Sequence, residues 1–281
     1  MSIKTIGMAL DQARLQLGNV ADQPGLEAQL LLSAAINKRK EWLLIYPDAP
    51  LNDPQLVAFD GLLQRRLAGE PLPYILGKWE FYGREFLVDP RVLIPRPETE
   101  CIVEAALEHL AAQEGCGRVL DVGTGSGIIA VSLACERPML DLIAVDCSYP
   151  ALQLAEQNAQ RYNAQRSIRW ICMDLTRGLD ARFDVVAANL PYIPTKTLRA
   201  LPVSKHEPWN ALDGGQDGLD MIRDLVLDLP RLLVESGIAL LEIEAGQGEA
   251  ALGIAQSLGP SVQASIEKDL AGHDRLLRIR V

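Results

Sequence analysis

A glycine-rich segment in the middle of the chain is the first candidate for ligand chemistry. The sequence GTGSG occupies residues 123–127 and directly follows the strand-like run RVLDV at 118–122. Glycine tolerates positive φ angles and lets the backbone approach a ligand closely, and the N-terminus of a following helix favours an anion or carboxylate. Ile128 stands where a GxGxxG dinucleotide fingerprint needs glycine, and a P-loop Gly-Lys-Ser/Thr is absent. The segment therefore predicts either a ligand-binding loop that lacks a pyrophosphate-binding motif or a turn between strand and helix that binds no ligand.

Two carboxylates follow at the ends of the next two predicted strands. The run LIAVD ends at Asp146 and the run IRWICMD ends at Asp174. An acidic residue after the second strand suits a ribose diol. Asp174 is a candidate acceptor for an adenine amino group, although a helix cap also explains an aspartate there. An adenosine-containing cofactor on such a loop indicates S-adenosylmethionine (SAM), and therefore methyl transfer.

The tetrad Asn189-Leu190-Pro191-Tyr192 ends the fourth predicted strand, FDVVAAN. Ligands in sheets of this kind bind beyond the carboxyl ends of the strands, so the tetrad is expected beside the cofactor. The Asn189 oxygen and a backbone carbonyl can accept both hydrogens of a planar amide or amino nitrogen and orient its lone pair. Tyr192 offers a flat face, and Pro191 favours an extended Leu190 with an exposed carbonyl. A strand-terminating turn is the plain alternative.

Strands and helices alternate from residue 98 onward and form the framework for these groups. The predicted strands are 118–122, 142–146, 168–174, 183–189, 238–245, 262–268 and 275–281. The predicted helices are 98–113, 127–136, 150–162, 218–234 and 247–258. Alternation of this kind is typical of an α/β, Rossmann-like doubly wound sheet. Two consecutive strands at the end predict a terminal hairpin with one antiparallel strand.

The chain before residue 98 differs from the rest in the spacing of its apolar residues and in its proline and aromatic content. Apolar residues recur at helical spacing up to about residue 68, with Pro54 placed for the first turn of a helix. Residues 69–98 are rich in proline and aromatic residues, and large apolar side chains alternate on both sides of the turn at 82–84, which predicts a β-hairpin. We therefore predict a helical domain at 1–70, a hairpin linker at 71–97 and a sheet domain at 98–281.

Composition narrows the classes of function. The 281 residues include 27 Lys and Arg against 37 Asp and Glu, a net charge of −10 that counts against autonomous nucleic-acid binding. No apolar run has the length of a membrane helix, and the N-terminal segment lacks a secretory pattern. The five cysteines are scattered without a CxxC pair, so we expect reduced thiols in the cytoplasm, mostly small core residues, and no metal site.

The combined motifs resemble the release factor glutamine methyltransferases (PrmC/HemK family) over essentially the whole chain. They are the connector RRLAGEPLPYILGKWEFYGREFLVDPRVLIPRPETE, DVGTGSG, NLPYIP, HEPWNALDGGQDGLD (206–220) and DLAGHDR (269–275). The connector and the 206–220 segment make the resemblance specific, because neither is general to methyltransferases. The resemblance implies a class I, SAM-dependent enzyme that methylates the glutamine of the Gly-Gly-Gln motif in peptide chain release factors and leaves S-adenosyl-L-homocysteine. It also implies an N-terminal substrate-recognition domain and a monomeric enzyme.

The resemblance assigns roles residue by residue. It implies cofactor contacts for Gly123, Thr124, Gly125, Ser126, Gly127, Asp146, Asp174, Leu175 and Asn189. It implies substrate contacts for Asn189, Leu190, Pro191 and Tyr192, with Asn189 and Tyr192 as the catalytic pair. The family usually has Pro at position 190, so Leu190 bears on the rigidity of the loop rather than on the reaction. The family also often has an aromatic residue at 175, and Leu175 removes that stacking surface.

Two further groups of residues are candidates for the rim of the site. Arg96, Glu98 and Glu100 in PRPETE are expected near the pocket mouth, with helix N-terminal charges as an equal alternative. Trp209 and Asp213 are expected to shape the cleft, with a packed Ω-like connection as the alternative.

Three other functions remain open at this point. A sister activity on a ribosomal-protein glutamine needs the same chemistry. Adenine-N6 methylation of DNA needs a similar tetrad, but also base extrusion and a surface for a polyanion, and only Lys196, Arg199 and Lys205 lie close after the tetrad. A SAM-binding module without catalysis is the third.

Overall fold

The computed structural model describes residues 4–111, 116–269 and 271–281 and divides into two compact units, Met1–Lys78 and Trp79–Val281. The first unit is helical, as predicted. Its helices are α1 (Ile6–Leu17), α2 (Pro24–Ile36), α3 (Lys40–Ile45), α4 (Asp53–Leu67) and α5 (Leu72–Leu76). The Asn52 and Gln55 side chains form a capping box at the start of α4, and the Arg66–Glu27 ion pair of 2.7 Å joins α4 to α2. Helix α5 lies inside the predicted linker and tolerates Pro73 because a first-turn residue needs no N–H donor.

The second unit opens with the predicted hairpin. Strand β1 (Lys78–Phe81) turns at Tyr82 and Gly83, which both have positive φ angles, into β2 (Arg84–Leu87). The rings of Phe81 and Phe86 are fully buried and meet edge to face with centroids 6.1 Å apart. These two side chains anchor the hairpin to the core of the second unit.

Seven strands form the central sheet in the order β5-β4-β3-β6-β7-β9-β8. They are β3 (Arg118–Val122), β4 (Asp141–Asp146), β5 (Ile168–Cys172), β6 (Phe183–Ala188), β7 (Leu233–Glu242), β8 (Gln263–Lys268) and β9 (Asp274–Arg280). Strands β3 to β7 are parallel, and β9 is antiparallel to both of its neighbours. The α/β sheet and its terminal hairpin are therefore confirmed. The strand order reverses between β3 and β6, which is where such sheets bind ligands.

Helices cover both faces of the sheet. They are α6 (Glu100–Ala111), α7 (Ile128–Glu136), α8 (Tyr149–Arg161), α9 (Thr195–Leu198), α10 (Asp220–Leu232) and α11 (Gly248–Gln256). Val119 and Leu120 are neighbours on β3 but enter opposite apolar clusters, because successive strand side chains point to opposite faces. The last two residues predicted for the first of these helices, 112–113, lie outside the described residues, as does Leu270 of the DLAGHDR motif.

Some expectations from the sequence need correction. Strand β5 ends at Cys172 rather than at residue 174, and β7 begins at Leu233 rather than at residue 238. The expectation that most cysteines are core residues is wrong, since Cys116, Cys147 and Cys172 are exposed and Cys101 and Cys135 are half-buried. Cys147 and Cys172 are exposed because they lie at the edge of the sheet where the strands end.

Two kinds of feature are absent from the described residues. Within them, no helix has both the length and the apolar character needed to span a membrane. The same part of the chain holds no group of three or more His, Cys, Asp or Glu side chains placed to hold a metal ion.

Candidate functional site

A cavity opens at the carboxyl ends of β3, β4 and β6, within the second unit. It brings together most of the residues that the sequence singled out: Gly123, Thr124, Gly125, Ser126, Asp146, Asp174, Leu175, Asn189, Leu190 and Pro191. Gly127 and Tyr192 are not among the lining residues. The glycine segment, the acidic strand ends and most of the tetrad therefore share one cavity.

The glycine loop needs its glycines for two different reasons. Gly123, Gly125 and Gly127 have φ angles of 72°, 55° and 81°, which lie in the left-handed region. A Cβ at Gly127 would also lie 3.0 Å from the Cβ of Ala155, so this glycine permits close packing of the loop on α8. The Gly125 N–H donates to Asp146 Oδ2 at 2.9 Å, and the Ser148 N–H donates to Asp146 Oδ1 at 2.8 Å. Asp146 is thereby fixed at the cavity wall with lone pairs left for a diol.

Asp121, at the end of β3, is a buried carboxylate that sequence reasoning did not place in the site. Its Oδ2 accepts hydrogen bonds from the Thr124 hydroxyl at 2.6 Å and the Ala130 N–H at 3.2 Å. Among the described residues, its Oδ1 has no partner, and burial raises the pKa of Asp121 to about 7. A buried acceptor beside the glycine loop fits a cationic ligand group such as the ammonium of SAM. The donor set as a whole therefore fits that cofactor.

The turn after β5 is held in a strained conformation. Leu175 has a φ of 49°, which is uncommon for a side chain of this kind. Two residues of α10 hold the turn: the Thr176 hydroxyl donates to Asp228, and Arg231 donates to the Thr176 carbonyl at 2.9 Å. Asp174 is mostly exposed and pairs with Arg177 at 2.6 Å, so the proposed contact between Asp174 and an adenine stays a prediction.

Residues 212–218 hold the tetrad in place through hydrogen bonds and a close backbone contact. The Ile193 N–H donates to the Leu212 carbonyl at 3.1 Å, and the Gly214 N–H donates back to the Ile193 carbonyl at 2.9 Å. Gly218 has a φ of 83°, and a Cβ there would lie 2.1 Å from the Tyr192 carbonyl oxygen. Gln247 Nε2 donates to the same carbonyl at 3.0 Å. The backbone of the tetrad is therefore set by close packing.

A chain of hydrogen bonds links the two ends of the tetrad through buried residues. Asn189 Nδ2 donates to Thr99 Oγ1 at 2.8 Å, and the Thr99 hydroxyl donates to Glu242 Oε2 at 2.6 Å. The Tyr192 hydroxyl donates to Glu242 Oε1 at 3.4 Å. Thr99 is fully buried and Glu242 is 1% exposed. Sequence reasoning missed this pair, although a glutamate inside the apolar run IALLEIEA was a signal for it.

The rim of the cavity differs from the expectation. Of the three residues singled out in PRPETE, Arg96 lines the cavity, Glu98 is exposed and is not among the lining residues, and Glu100 accepts a hydrogen bond from the Tyr82 N–H at 2.8 Å. Arg96 Nη2 donates to Glu207 Oε1 at 2.6 Å, and the Ile94 N–H donates to Glu207 Oε2 at 2.9 Å.

The loop that follows Glu207 reaches the cavity through different residues than expected. Asn210 and Ala211 line the cavity. Trp209 and Asp213, which the sequence singled out, bond to each other instead, because Trp209 Nε1 donates to Asp213 Oδ2 at 3.0 Å. The segment therefore shapes the cleft and also serves as a packed connection.

Comparison with known proteins agrees with this architecture. Residues 8–77 match the family model of the PrmC N-terminal domain, and residues 103–201 match that of the methyltransferase small domain. Of the solved structures, the hMettl16 catalytic domain, crystallised with the MAT2A 3'UTR hairpin 6, is 16% identical with a TM-score of 0.57. It aligns over 82% of each chain. At that identity the likeness shows the fold alone, a methyltransferase fold.

Two relatives are much closer in sequence. A release factor glutamine methyltransferase of Geobacter sulfurreducens is 41% identical over 99% of this chain and 98% of its own length. One of Coxiella burnetii is 37% identical over 100% of this chain and 99% of its own. With a glycine loop and acidic groups that fit SAM beside an asparagine-led tetrad, the chain is a SAM-dependent methyltransferase and belongs to the release factor glutamine methyltransferase family.

Proposed function

We propose that this enzyme methylates the side-chain amide nitrogen of the glutamine in the Gly-Gly-Gln motif of peptide chain release factors, and that it leaves S-adenosyl-L-homocysteine. The observation that carries the proposal is the orientation of Asn189. Its Nδ2 is engaged by Thr99, so its Oδ1 is the atom left for a ligand, and no described residue donates to that oxygen. An acceptor of this kind beside a SAM cavity suits an N–H of a planar amide.

Different residues around the cavity would bind the cofactor and orient the substrate. Asp146 and the glycine loop would hold the adenosine part of SAM, and Asp121 would face its ammonium. Bound there, SAM supplies an electrophilic methyl group. Asn189 Oδ1 accepts one N–H of the substrate amide and so turns the nitrogen lone pair toward the methyl carbon. The nitrogen–carbon bond would form as the sulfur–carbon bond breaks, and the extra proton on nitrogen would pass to solvent.

The partners and setting of the enzyme belong to the same proposal. The family match over residues 8–77 supports a recognition role for the N-terminal helical unit. The net charge of −10 supports a protein rather than a nucleic acid as the substrate. We propose a monomer that acts in the cytoplasm, where release factors work and where five free cysteines stay reduced.

Transfer of label from methyl-labelled SAM to purified release factor tests the proposal. We expect label in the tryptic peptide that contains Gly-Gly-Gln. We also expect Asn189→Ala to lower the rate about a hundredfold or more while S-adenosyl-L-homocysteine still binds. Label in a ribosomal-protein glutamine, or in adenine of duplex DNA, in place of that peptide would support the corresponding alternative. Full activity of Asn189→Ala would contradict the assigned site.

A further inference from the structure

We infer that Thr99 and Glu242 are positioning residues that hold the Asn189 amide in the one orientation that presents its oxygen to the substrate. The inference rests on the proposed function, because it concerns how Asn189 meets the amide nitrogen. Neither Thr99 nor Glu242 lies in the tetrad: Thr99 ends the short 3-10 helix Pro97–Thr99, and Glu242 ends β7.

Donors and acceptors determine the direction of the chain of hydrogen bonds. An ionised carboxylate only accepts hydrogen bonds, and a threonine hydroxyl has one hydrogen to donate. The Thr99 hydrogen is committed to Glu242 at 2.6 Å, so Thr99 Oγ1 can only accept from Asn189. Asn189 must therefore turn its NH2 group toward Thr99, at 2.8 Å, and its oxygen away. The reverse orientation would place two donors, the Asn189 NH2 and the substrate N–H, against each other.

The same carboxylate also holds the other end of the tetrad. The Tyr192 hydroxyl donates to Glu242 Oε1, so Asn189 and Tyr192 are both positioned by one buried group. Burying a carboxylate costs free energy unless the charge is paired or hydrogen-bonded. Here its partners are Thr99, which accepts from Asn189, and Tyr192, the last residue of the tetrad.

The protonation state of Glu242 determines how strongly one orientation of the Asn189 side-chain amide is favoured over the other. Burial raises the pKa of Glu242 to about 7, with Glu98 adding to the rise and Arg275 and the hydrogen bonds of Thr99 and Tyr192 opposing it. The Cys101 thiol also faces this charge, and its pKa is raised mainly by burial and then by Glu242. A protonated Glu242 can donate to Thr99, which then donates to the Asn189 oxygen and favours the reversed amide. We therefore expect kcat at saturating SAM to fall as the pH drops below about 7.

Three variants of the full-length enzyme test the inference. Thr99→Val keeps the shape but removes the hydroxyl and should lower kcat about tenfold or more, with a smaller change in KM for release factor. Thr99→Ser keeps the hydroxyl and should restore most of the wild-type kcat. Glu242→Gln can both donate and accept, so it should lower kcat and remove the acidic limb of the kcat profile. Ser132→Ala, which removes a buried hydroxyl without a partner among the described residues, is the matched control and should leave kcat unchanged.

Cofactor binding separates a positioning defect from misfolding. Thr99→Val should bind S-adenosyl-L-homocysteine within about twofold of wild type. If it binds but keeps the wild-type kcat, or if Thr99→Ser is as impaired as Thr99→Val, the inference is overturned. If Thr99→Val does not fold, Thr99→Ser and the pH profile of Glu242→Gln decide in the same way. An active Asn189→Ala would instead overturn the proposed function.

Discussion

Three buried carboxylates accept hydrogen bonds from residues that line the cavity, and each has a different kind of partner. Asp121 accepts from a hydroxyl and a backbone N–H, Glu207 pairs with the Arg96 guanidinium, and Glu242 accepts from two hydroxyls. Burial without a paired cation disfavours the charged form, which is why the pKa values of Asp121 and Glu242 rise to about 7. Ionisation of either carboxyl group in the folded enzyme therefore lowers stability.

The first prediction concerns the stability of the cofactor-free enzyme as the pH changes. The folded-state pKa of Asp121, about 7, lies above its ordinary 3.8. The free energy of unfolding therefore falls as the pH rises from about 4 to about 7 and levels off above that, because the folded state holds the proton longer than the unfolded chain does. Between pH 5 and 9, we expect Asp121 to lower the free energy of unfolding of the wild type by about 2–4 kcal/mol. Asp121→Asn should remove this decrease and keep only the decrease that Glu242 causes. Urea unfolding at both pH values measures it. Asp11→Asn, on the exposed side of α1, is the control, and an equal pH slope in wild type and Asp121→Asn would contradict the prediction.

At the scale of elements, the loops that form the site are held in position by contacts with neighbouring loops. The second prediction replaces Gly218 with alanine, whose Cβ would collide with the Tyr192 carbonyl at 2.1 Å. Because the tetrad must move while the glycine loop stays in place, kcat should fall about tenfold or more and SAM affinity should change little. Gly253→Ala, in α11 with nothing within 4 Å of the new Cβ, is the matched control. It should stabilise the enzyme by about 0.5–1 kcal/mol and keep its kcat.

The third prediction concerns the clamp between residues 91–96 and the loop that carries Asn210. Glu207→Ala removes the acceptor of the Ile94 N–H and of Arg96, so both cavity walls lose their connection. We expect the Kd for SAM to rise about tenfold or more, measured by calorimetry. Glu235→Ala, at an exposed position of β7, removes the same kind of side chain elsewhere. An unchanged Kd in a folded Glu207→Ala enzyme would show that the clamp does not support the cofactor.

Local patterns allowed the elements to be predicted better than their partners. Strand β3 has its predicted bounds because its short, largely apolar run is followed directly by the glycine at 123, which ends the strand. For residues 206–220, the sequence was compatible both with a packed Ω-like connection and with a segment that shapes the cleft. Only tertiary packing determines which of its side chains reach the cavity. Glu242 bonds to Thr99 across 143 positions in the sequence, and no local pattern carries such a contact.

At the scale of the whole molecule, the N-terminal unit exposes a short run of apolar residues. Leu44, Ile45 and Tyr46 are consecutive apolar residues of the N-terminal unit, and their side chains are 60%, 66% and 50% exposed. An exposed apolar group of this kind is typical of a protein-binding surface. It is the natural candidate for the recognition role proposed for this unit.

The fourth prediction tests that surface with the double substitution Leu44→Ser and Ile45→Ser. Loss of apolar contact should raise KM for full-length release factor about tenfold or more. It should leave the rate on a short Gly-Gly-Gln peptide unchanged, since such a peptide lacks the rest of the release factor that would contact this surface. Leu227→Ser, which is 67% exposed on α10 of the other unit, is the control. Equal KM values for wild type and the double variant would remove this surface from the recognition site.

The position of β9 bears on how the enzyme is made. This strand is the last of the sheet in sequence, yet it lies between β7 and β8, and its Leu276 pairs with Glu242. A chain emerging from the ribosome exposes β7 with an open edge until the final strand arrives, and such edges invite mispairing. Glu242, which we infer to orient Asn189, is therefore enclosed by the sheet only after β9 has been made. A chain that has not yet reached β9 has the glycine loop but lacks this enclosure of Glu242.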